Sequence, residues 1–281
     1  MNAQAMLPNL IIIGAMKSGT SSLHYYLDQH PQIAMSTPKE LDFFIKEINW
    51  DRGIDWYKSH FSSNTKILGE TSPNYSAFPQ FRDVPERMHS LIPNAKLIYL
   101  VRDPIERMLS HYVHSVYMGR ERRSPDEALA DPDSLYINRS KYYKQLDQYI
   151  QYYDKSNILV VSSEDLLRNR QGCLKSIFVF LGVDDNYVSS SFEEIRHLSS
   201  SRKRRTTRVG GAILRAARSL RPLVPHRLRV SLDPLKKEIT TRQIEKPRVA
   251  ESTLREIRSQ LRSDTEGLRR YTGRQFAEWS V

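Results

Sequence analysis

The order of apolar segments along the chain predicts an α/β fold with a central parallel sheet flanked by helices. Three short runs rich in Ile, Leu and Val occur at residues 10–13, 96–101 and 158–161. Continuous apolar runs of this length are typical of strands buried on both faces, as in parallel sheets. Each run is followed by a segment with apolar residues at helical spacing, and this alternation is typical of α/β proteins.

The first strand is followed by a polar loop and then by a helix. The strand ends at Gly14, and residues 15–19 are small or polar. Residues 20–30 carry apolar side chains at helical spacing, and Pro31 ends this helix because a proline disfavours helical backbone in the residue before it.

The second strand leads directly into a helix with a strong start signal. After residues 96–101 the chain reads Arg102-Asp103-Pro104. Asp103 suits an N-cap, and Pro104 suits the first helical turn because its missing N–H is not needed there.

The remaining elements complete the alternation. The third strand, residues 158–161, precedes a helix that begins at about Ser163. Residues 173–181 are predicted to be helical up to Gly182, and a last helical pattern covers about residues 250–268.

Composition and charge narrow the classes of partner. The chain has 281 residues, a formal net charge of +11 and one cysteine, which excludes an intrachain disulfide and a multi-cysteine metal site. The positive charge favours anionic partners, which include nucleotide phosphates, acidic glycans, nucleic acid and membrane surfaces. The apolar run near the N-terminus, residues 10–13, is far too short to cross a bilayer, so we expect a cytoplasmic protein.

The loop after the first strand has the composition of a phosphate-binding site. Lys17 supplies charge, Gly19 allows close approach, and Ser18, Thr20, Ser21 and Ser22 supply hydroxyls. The start of the following helix adds backbone N–H groups and a favourable dipole. The lysine precedes Ser18-Gly19, so the loop is not a Walker A motif, which ends in Gly-Lys-Ser/Thr.

A second anion site is predicted at the end of the second strand. In a parallel sheet Arg102 lies at the same edge as the first loop, and Ser110 follows two helical turns later. Taken alone, Arg102 would be interpreted as a surface ion pair with Asp103 or Glu106. Together with the loop, Arg102 and Ser110 predict a grip on a second phosphate.

These segments resemble those of a known enzyme family. Residues 14–23 resemble the 5′-phosphosulfate-binding loop of sulfotransferases that use 3′-phosphoadenosine 5′-phosphosulfate (PAPS), and residues 100–112 resemble their 3′-phosphate-binding segment. More narrowly, the chain is similar to the heparan sulfate N- and 3-O-sulfotransferases and related bacterial sulfotransferases. Further similar segments are PKELDFF (38–44), GIDWY (53–57), ETSPNY (70–75), RSKY (139–142), YTGR (271–274) and Trp279.

The resemblance implies a P-loop-like sulfotransferase fold, a PAPS donor and specific site residues. Lys17, Ser18, Gly19, Thr20, Ser21 and Ser22 would hold the 5′-phosphosulfate, and Arg102 and Ser110 the 3′-phosphate. Lys203, Arg204 and Arg205 resemble the Lys-Gly-Arg lid over the cofactor, without its glycine. Residues 8–205 would form the cofactor-binding core and 206–281 a helical elaboration of one domain, 1–281.

The resemblance also suggests the catalytic groups. Glu40 stands where the similar enzymes have a glutamate base, and Phe43 and Phe44 are expected to wall it and raise its pKa. Lys17 would stabilise the leaving oxygen. A sulfuryl group carries less negative charge than a phosphoryl group, so a metal ion is less necessary to neutralise it. We therefore predict no metal.

Several rival groups for the base remain open. Asp42 and Glu70 are the rival carboxylates, and His111 and His114 are weaker candidates. The heparan 3-O-sulfotransferases carry Glu-Lys-Thr-Pro where this chain has Glu70-Thr71-Ser72-Pro73. The absent lysine argues against a highly anionic acceptor.

Two other function classes compete with this interpretation. A P-loop kinase or nucleotidase is disfavoured by the displaced lysine, and a basic non-enzymatic module by the lack of a nucleic-acid-binding motif. We expect a carbohydrate or small-molecule acceptor, no nucleic acid partner, and peripheral membrane contact through the basic segment 202–229. The oligomeric state is not predicted.

Overall fold

A five-stranded parallel sheet forms the centre of the molecule. The computed structural model describes residues 6–61, 64–194, 204–206, 241–243 and 246–281. Within them the strand order is β2-β3-β1-β4-β5. The strands are β1 (Leu10–Gly14), β2 (Ile33–Met35), β3 (Ile67–Thr71), β4 (Lys96–Val101) and β5 (Ile158–Ser162). The predicted α/β fold with a central parallel sheet is confirmed.

Helices cover both faces of the sheet. They are α1 (Thr20–Asp28), α2 (Gly53–Lys58), α3 (Val84–Leu91), α4 (Pro104–Tyr117), α5 (Pro125–Ala130), α6 (Leu135–Asn138), α7 (Tyr142–Ile150), α8 (Ser163–Arg168), α9 (Arg170–Leu181) and α10 (Glu251–Thr272). Leu10 and Ile12 pack with side chains of α1 and α9. Ile11 and Ile13 face the other way, into a core shared with α3, α7 and α10.

The three strands predicted from apolar runs are present, and two further strands were not predicted. All five residues of β1 are buried, as expected for a central strand covered on both faces. Strand β2 was not predicted because it has only three residues. Strand β3 was not predicted because three of its residues, Gly69, Glu70 and Thr71, break the apolar run. The two signals for a helix start after β4 are both confirmed. Helix α4 begins at Pro104, and Asp103 Oδ1 accepts a 2.9 Å hydrogen bond from Glu106 N.

The strand order places the chain's key loops together. Because the strands are parallel, the segments after β1, β3 and β4 all emerge at one edge of the sheet. The chain leaves β1 toward β2 on one side and leaves β4 toward β5 on the other. The crevice between the ends of β1 and β4 is therefore a topological switch point, where open α/β sheets bind ligands.

The end of the chain docks at this same edge. Helix α10 lies against α5 and α7, and it matches the last predicted helix. Beyond it, the Trp279 ring packs 5.7 Å from that of Tyr142. The Ser280 amide donates to Asp103 Oδ2 at 2.5 Å, which ties the C-terminal segment to the start of α4.

The segment between α9 and α10 is described only in part. Strands β6 (Arg204–Thr206) and β7 (Thr241–Gln243) pair antiparallel, and the backbone of β6 approaches α4. The proposed division at residue 205 within one domain stays a prediction.

Candidate active site

The loop after β1 is held against the neighbouring strand. The Ala15 amide donates to Leu100 O at 2.6 Å, which fixes the loop to the end of β4. A Cβ atom on Gly14 would lie 1.9 Å from Ser76 Oγ, so only glycine allows this close approach. The loop is thus seated at the switch point between β1 and β4.

The loop presents the groups that an anion needs. Gly19 is the N-cap of α1 with φ +98°, and because it has no side chain, no side-chain group caps the start of this helix, where anions commonly bind. Lys17, with φ +74°, is half-buried. Ser18 and Thr20 are buried, Ser22 is half-buried and Ser21 is exposed.

Two buried arginines lie beside this loop, and neither was predicted to be a site residue, although both belong to segments that resemble the family. Arg107 Nη1 donates to Met16 O at 3.3 Å, and Arg139 Nη1 contacts Met16 Sδ at 3.0 Å. Burial lowers the pKa of both, that of Arg139 to about 10. Within the described residues neither guanidinium is ion-paired with a carboxylate, and Arg139 Nε is buried without a hydrogen-bond partner. This charge creates positive potential under the loop, which suits an anionic ligand.

The predicted second phosphate grip lies across the crevice on β4 and α4. The Arg102 side chain is 30% exposed, and its Nη2 lies 3.3 Å from Glu106 Oε2. Glu106 also pairs with Lys246 at 2.5 Å. Ser110 is half-buried on the same helix. The ion pair considered for Arg102 is therefore present, and its partner Glu106 is shared with a second cation.

Glu40 lies on the other side of β1, in the loop that follows β2. Its amide donates to Thr71 O at 3.0 Å, and its side chain is 48% exposed and ion-paired with Lys39. The expectation that Phe43 and Phe44 wall this carboxylate stays a prediction. Both rings are buried in the core, where Phe43 stacks on Tyr57 at 4.1 Å.

Glu70 is the most buried of the rival carboxylates. It is 0% exposed, and Ser72 and Tyr75 donate hydrogen bonds to its Oε1 at 2.6 and 2.8 Å. Tyr57 donates to Oε2. Burial raises the pKa of Glu70 to about 7, although the three hydroxyl donors act in the opposite direction.

Asp42 is the second buried carboxylate. Asn74 Nδ2 donates to its Oδ2 at 2.9 Å, and burial raises its pKa. Asn74 Oδ1 in turn accepts from Arg139 Nη2 at 3.1 Å. A hydrogen-bonded path therefore joins Asp42 to the cations beneath the loop.

The nearby histidines are held neutral. Burial lowers the pKa of His24 to about 4, and its Nδ1 lies 2.9 Å from Thr71 Oγ1. Burial also lowers the pKa of His111 well below its ordinary value, with the Arg107 charge as the second cause. His111 packs against the Tyr136 ring, as a supporting residue would.

The structure brings most predicted site residues to one edge of the sheet. Lys17 to Ser22 follow β1, Arg102 follows β4 and Glu40 lies in the loop after β2, whereas Ser110 lies within α4. Lys203 lies outside the described residues. Arg204 and Arg205 lie in β6, of which the backbone alone is described. The roles of all these residues stay predictions.

In the described part of the chain, no group of three or more His, Cys, Asp or Glu side chains is arranged to hold a metal ion. No helix there is long and apolar enough to cross a bilayer.

Comparisons with known proteins agree with this arrangement. A family model described as a sulfotransferase domain matches residues 7–221. The membrane-associated sulfotransferase kil1 of Dictyostelium discoideum is 44% identical over 124 residues, covering 42% of this chain and 25% of that protein. Human heparan sulfate glucosamine 3-O-sulfotransferase 5 is 32% identical over 191 residues, covering 63% of this chain and 54% of that protein. The chain thus spans between a quarter and about half of these relatives.

A solved structure extends the likeness of fold to almost the whole chain. The sulfotransferase from Alicyclobacillus acidocaldarius superposes with a TM-score of 0.71 at 22% identity, covering 98% of this chain and all of that one. The fold, the loop at its switch point and the family match lead to one conclusion: the chain belongs to the sulfotransferase domain family.

Proposed function

We propose that this protein transfers a sulfuryl group from PAPS to a hydroxyl or amine by in-line displacement, with Glu40 as general base. One observation carries the proposal: the anion-binding loop lies at the centre of the sheet edge, with Arg102 on the β4 side and Glu40 on the β3 side. An in-line reaction needs this order, because the attacking and leaving atoms lie on opposite sides of the transferred group.

The residues on the donor side fit PAPS, which supplies a sulfuryl group on a phosphate leaving group. The N–H groups of α1 and the hydroxyls of Ser18 and Thr20 would bind the 5′-phosphosulfate. Lys17 would place its charge on the leaving oxygen, where negative charge develops during transfer. Arg102 and Ser110 would bind the 3′-phosphate, and Arg102 would exchange Glu106 for it. Arg107 and Arg139 supply the positive potential that favours an anion here.

The residues on the acceptor side fit proton removal. Glu40 is half-exposed, so an acceptor can reach it. The carboxylate would take the proton of the attacking hydroxyl as the new bond to sulfur forms. Asp42 and Glu70 are buried beside it, and both have raised pKa values, which leaves Glu40 as the accessible carboxylate.

The acceptor proposed is a carbohydrate or small molecule with little negative charge. The human relative is named as a heparan sulfate enzyme, which favours a sugar. Thr71 stands where the similar 3-O-sulfotransferases have a lysine, and its partner His24 is neutral at pH 7. Lys39 precedes Glu40 in the sequence, and its charge is ion-paired with the Glu40 carboxylate. The acceptor side of the site, with Thr71, His24 and Lys39, therefore offers little positive charge to attract a highly anionic glycan.

Ligand binding and turnover together test the proposed function. We expect 3′-phosphoadenosine 5′-phosphate to raise the melting temperature of the purified chain, and ATP with magnesium and duplex DNA to raise it much less. Radiolabelled PAPS offered with neutral glycosides, small alcohols and a desulfated heparan chain should then label an acceptor. Stabilisation by ATP with magnesium-dependent turnover would instead support a kinase or nucleotidase.

The basic segment motivates a proposal about location. Residues 195–245 contain 14 Lys and Arg against three Asp and Glu, whereas the rest of the chain contains 29 of each. All of the net charge of +11 therefore belongs to this segment. We propose a cytoplasmic protein that contacts anionic membranes peripherally through residues 202–229. Binding to vesicles containing phosphatidylserine should fall as salt rises, since such attraction is screened. Equal binding to neutral vesicles would contradict it.

A further inference from the structure

The loop that carries Glu40 is held in a strained conformation. Glu40 has φ +66° and Asp42 has φ +48°, in the left-handed region that side chains with a Cβ rarely adopt. Such conformations are unfavourable and persist only where surrounding contacts impose them. The contacts that impose this conformation therefore decide where the Glu40 carboxylate points.

Three alternate amides of this loop are bound to the segment that follows β3. Glu40 N donates to Thr71 O at 3.0 Å. Asp42 N donates to Ser72 Oγ at 3.0 Å, and Phe44 N donates to Tyr75 Oη at 3.3 Å. Two of the three acceptors are thus side-chain hydroxyls, which rotate freely unless something else orients them.

Glu70 orients both hydroxyls. Ser72 and Tyr75 each direct their hydrogen to Glu70 Oε1, at 2.6 and 2.8 Å. A hydroxyl has one hydrogen, so this donation leaves its lone pairs facing the loop amides. Charge-assisted bonds of this kind are stronger than neutral ones, and burial excludes competing water.

We propose that Glu70 is a positioning residue for the reaction, which holds Glu40 in place through Ser72 and Tyr75. The inference rests on the proposed role of Glu40 as base. Only Oε1 takes part, since Tyr57 occupies Oε2. We call the hydrogen bonds that run from the loop amides through Ser72 and Tyr75 to Glu70 the clamp. The clamp requires an acceptor atom at Glu70 Oε1 and does not require a charge, so a proton at Oε2 leaves it intact.

Two tyrosines provide a matched pair of variants. Tyr75→Phe and Tyr57→Phe each remove one buried hydroxyl that donates to Glu70, but only the Tyr75 hydroxyl also accepts from the Glu40 loop. We expect Tyr75→Phe to lower kcat by about 10- to 10²-fold, the effect of a misplaced catalytic group. Tyr57→Phe should change kcat by less than about threefold. The Kd for 3′-phosphoadenosine 5′-phosphate should be unchanged in both. Equal kcat values in the two variants would overturn the proposal.

Substitutions of Glu70 separate a positioning role from a role in proton transfer. Glu70→Leu removes the acceptor and should lower kcat at least as far as Tyr75→Phe. Glu70→Gln keeps an oxygen acceptor and should restore most of that loss. If Glu70→Gln is as inactive as Glu70→Leu, the carboxylate charge is needed and the clamp is wrong. Should Glu70→Leu fail to fold, the comparison of the tyrosine variants and Glu70→Gln still decides.

A double variant distinguishes failure of this inference from failure of the proposed function. If the clamp acts through Glu40, Tyr75→Phe should lower kcat little further in a Glu40→Gln background, because coupled residues are not additive. Full turnover by Glu40→Gln alone would refute the base and the inference together. A large loss in Glu40→Gln with additive loss from Tyr75→Phe would refute the inference alone.

Discussion

The buried carboxyl of Glu70 should make the stability of the fold depend on pH. Its pKa is about 7 in the folded protein against an ordinary value of 4.5, chiefly because burial penalises its charge. The groups that face it are the hydroxyls of Tyr57, Ser72 and Tyr75, with the charge of Asp42 nearby. Because the folded state holds this proton more tightly than the unfolded state, the free energy of unfolding falls as pH rises.

The magnitude follows from the size of the shift. A difference of about 2.5 pKa units at 1.36 kcal/mol each corresponds to about 3 kcal/mol. This stabilisation is fully present below about pH 4.5 and is lost as pH rises through about 7. Glu70→Gln cannot ionise, so its stability relative to the wild type should increase by about 3 kcal/mol between pH 4.5 and pH 8.

Urea unfolding at a series of pH values measures this difference. Glu40→Gln is the matched control, since it makes the same chemical change at a half-exposed position and should leave the pH dependence almost unchanged. If the wild type and Glu70→Gln lose stability in parallel across this range, Glu70 ionises normally. The three hydroxyl donors would then offset the effect of burial on its pKa.

Three further predictions concern the donor and acceptor sides of the site. Lys17→Ala should lower turnover by about 10²–10³-fold because the leaving oxygen loses its charge partner, and initial rates with labelled PAPS would measure this. Arg102→Ala should weaken binding of 3′-phosphoadenosine 5′-phosphate by about 1.5–3 kcal/mol in calorimetry, yet barely affect adenosine 5′-phosphosulfate, which lacks the 3′-phosphate. Glu40→Gln should lower kcat by about 10²–10⁴-fold with cofactor affinity unchanged, as measured by initial rates and by calorimetry. Should Asp42→Asn lose turnover while Glu40→Gln does not, the base is misassigned.

The elements that the sequence predicted are those with local signals. Strands β1, β4 and β5 are unbroken apolar runs, and α4 begins with a capping aspartate and a proline at its first turn. The phosphate-binding loop was predicted for the same reason, because its glycines, lysine and hydroxyls are adjacent in the chain.

The parts that the sequence did not predict depend on contacts between distant segments. Strand β3 places Glu70 in the core, where its carboxyl group is accommodated because the hydroxyls of Tyr57, Ser72 and Tyr75 converge on it. Glutamate is rarely fully buried in proteins, so sequence-based reasoning places such a residue at the surface. Arg107 is fully buried for a similar reason, since Ser140 Oγ and Tyr136 O accept its hydrogen bonds. One signal was available: Arg107 lies one helical turn before His111, on the buried side of α4.

The buried charges divide the site into two electrostatic halves. Arg107 and Arg139 lie under the loop, where an anionic donor would gain from them, whereas Asp42 and Glu70 lie on the β3 side. Asn74 joins the halves, since its oxygen accepts from Arg139 and its nitrogen donates to Asp42. An uncharged link of this kind keeps the two charge types apart while fixing both side chains. Under the proposed function, direct neutralisation of Arg139 by Asp42 would remove positive potential that favours an anionic donor, so the separation would serve donor binding.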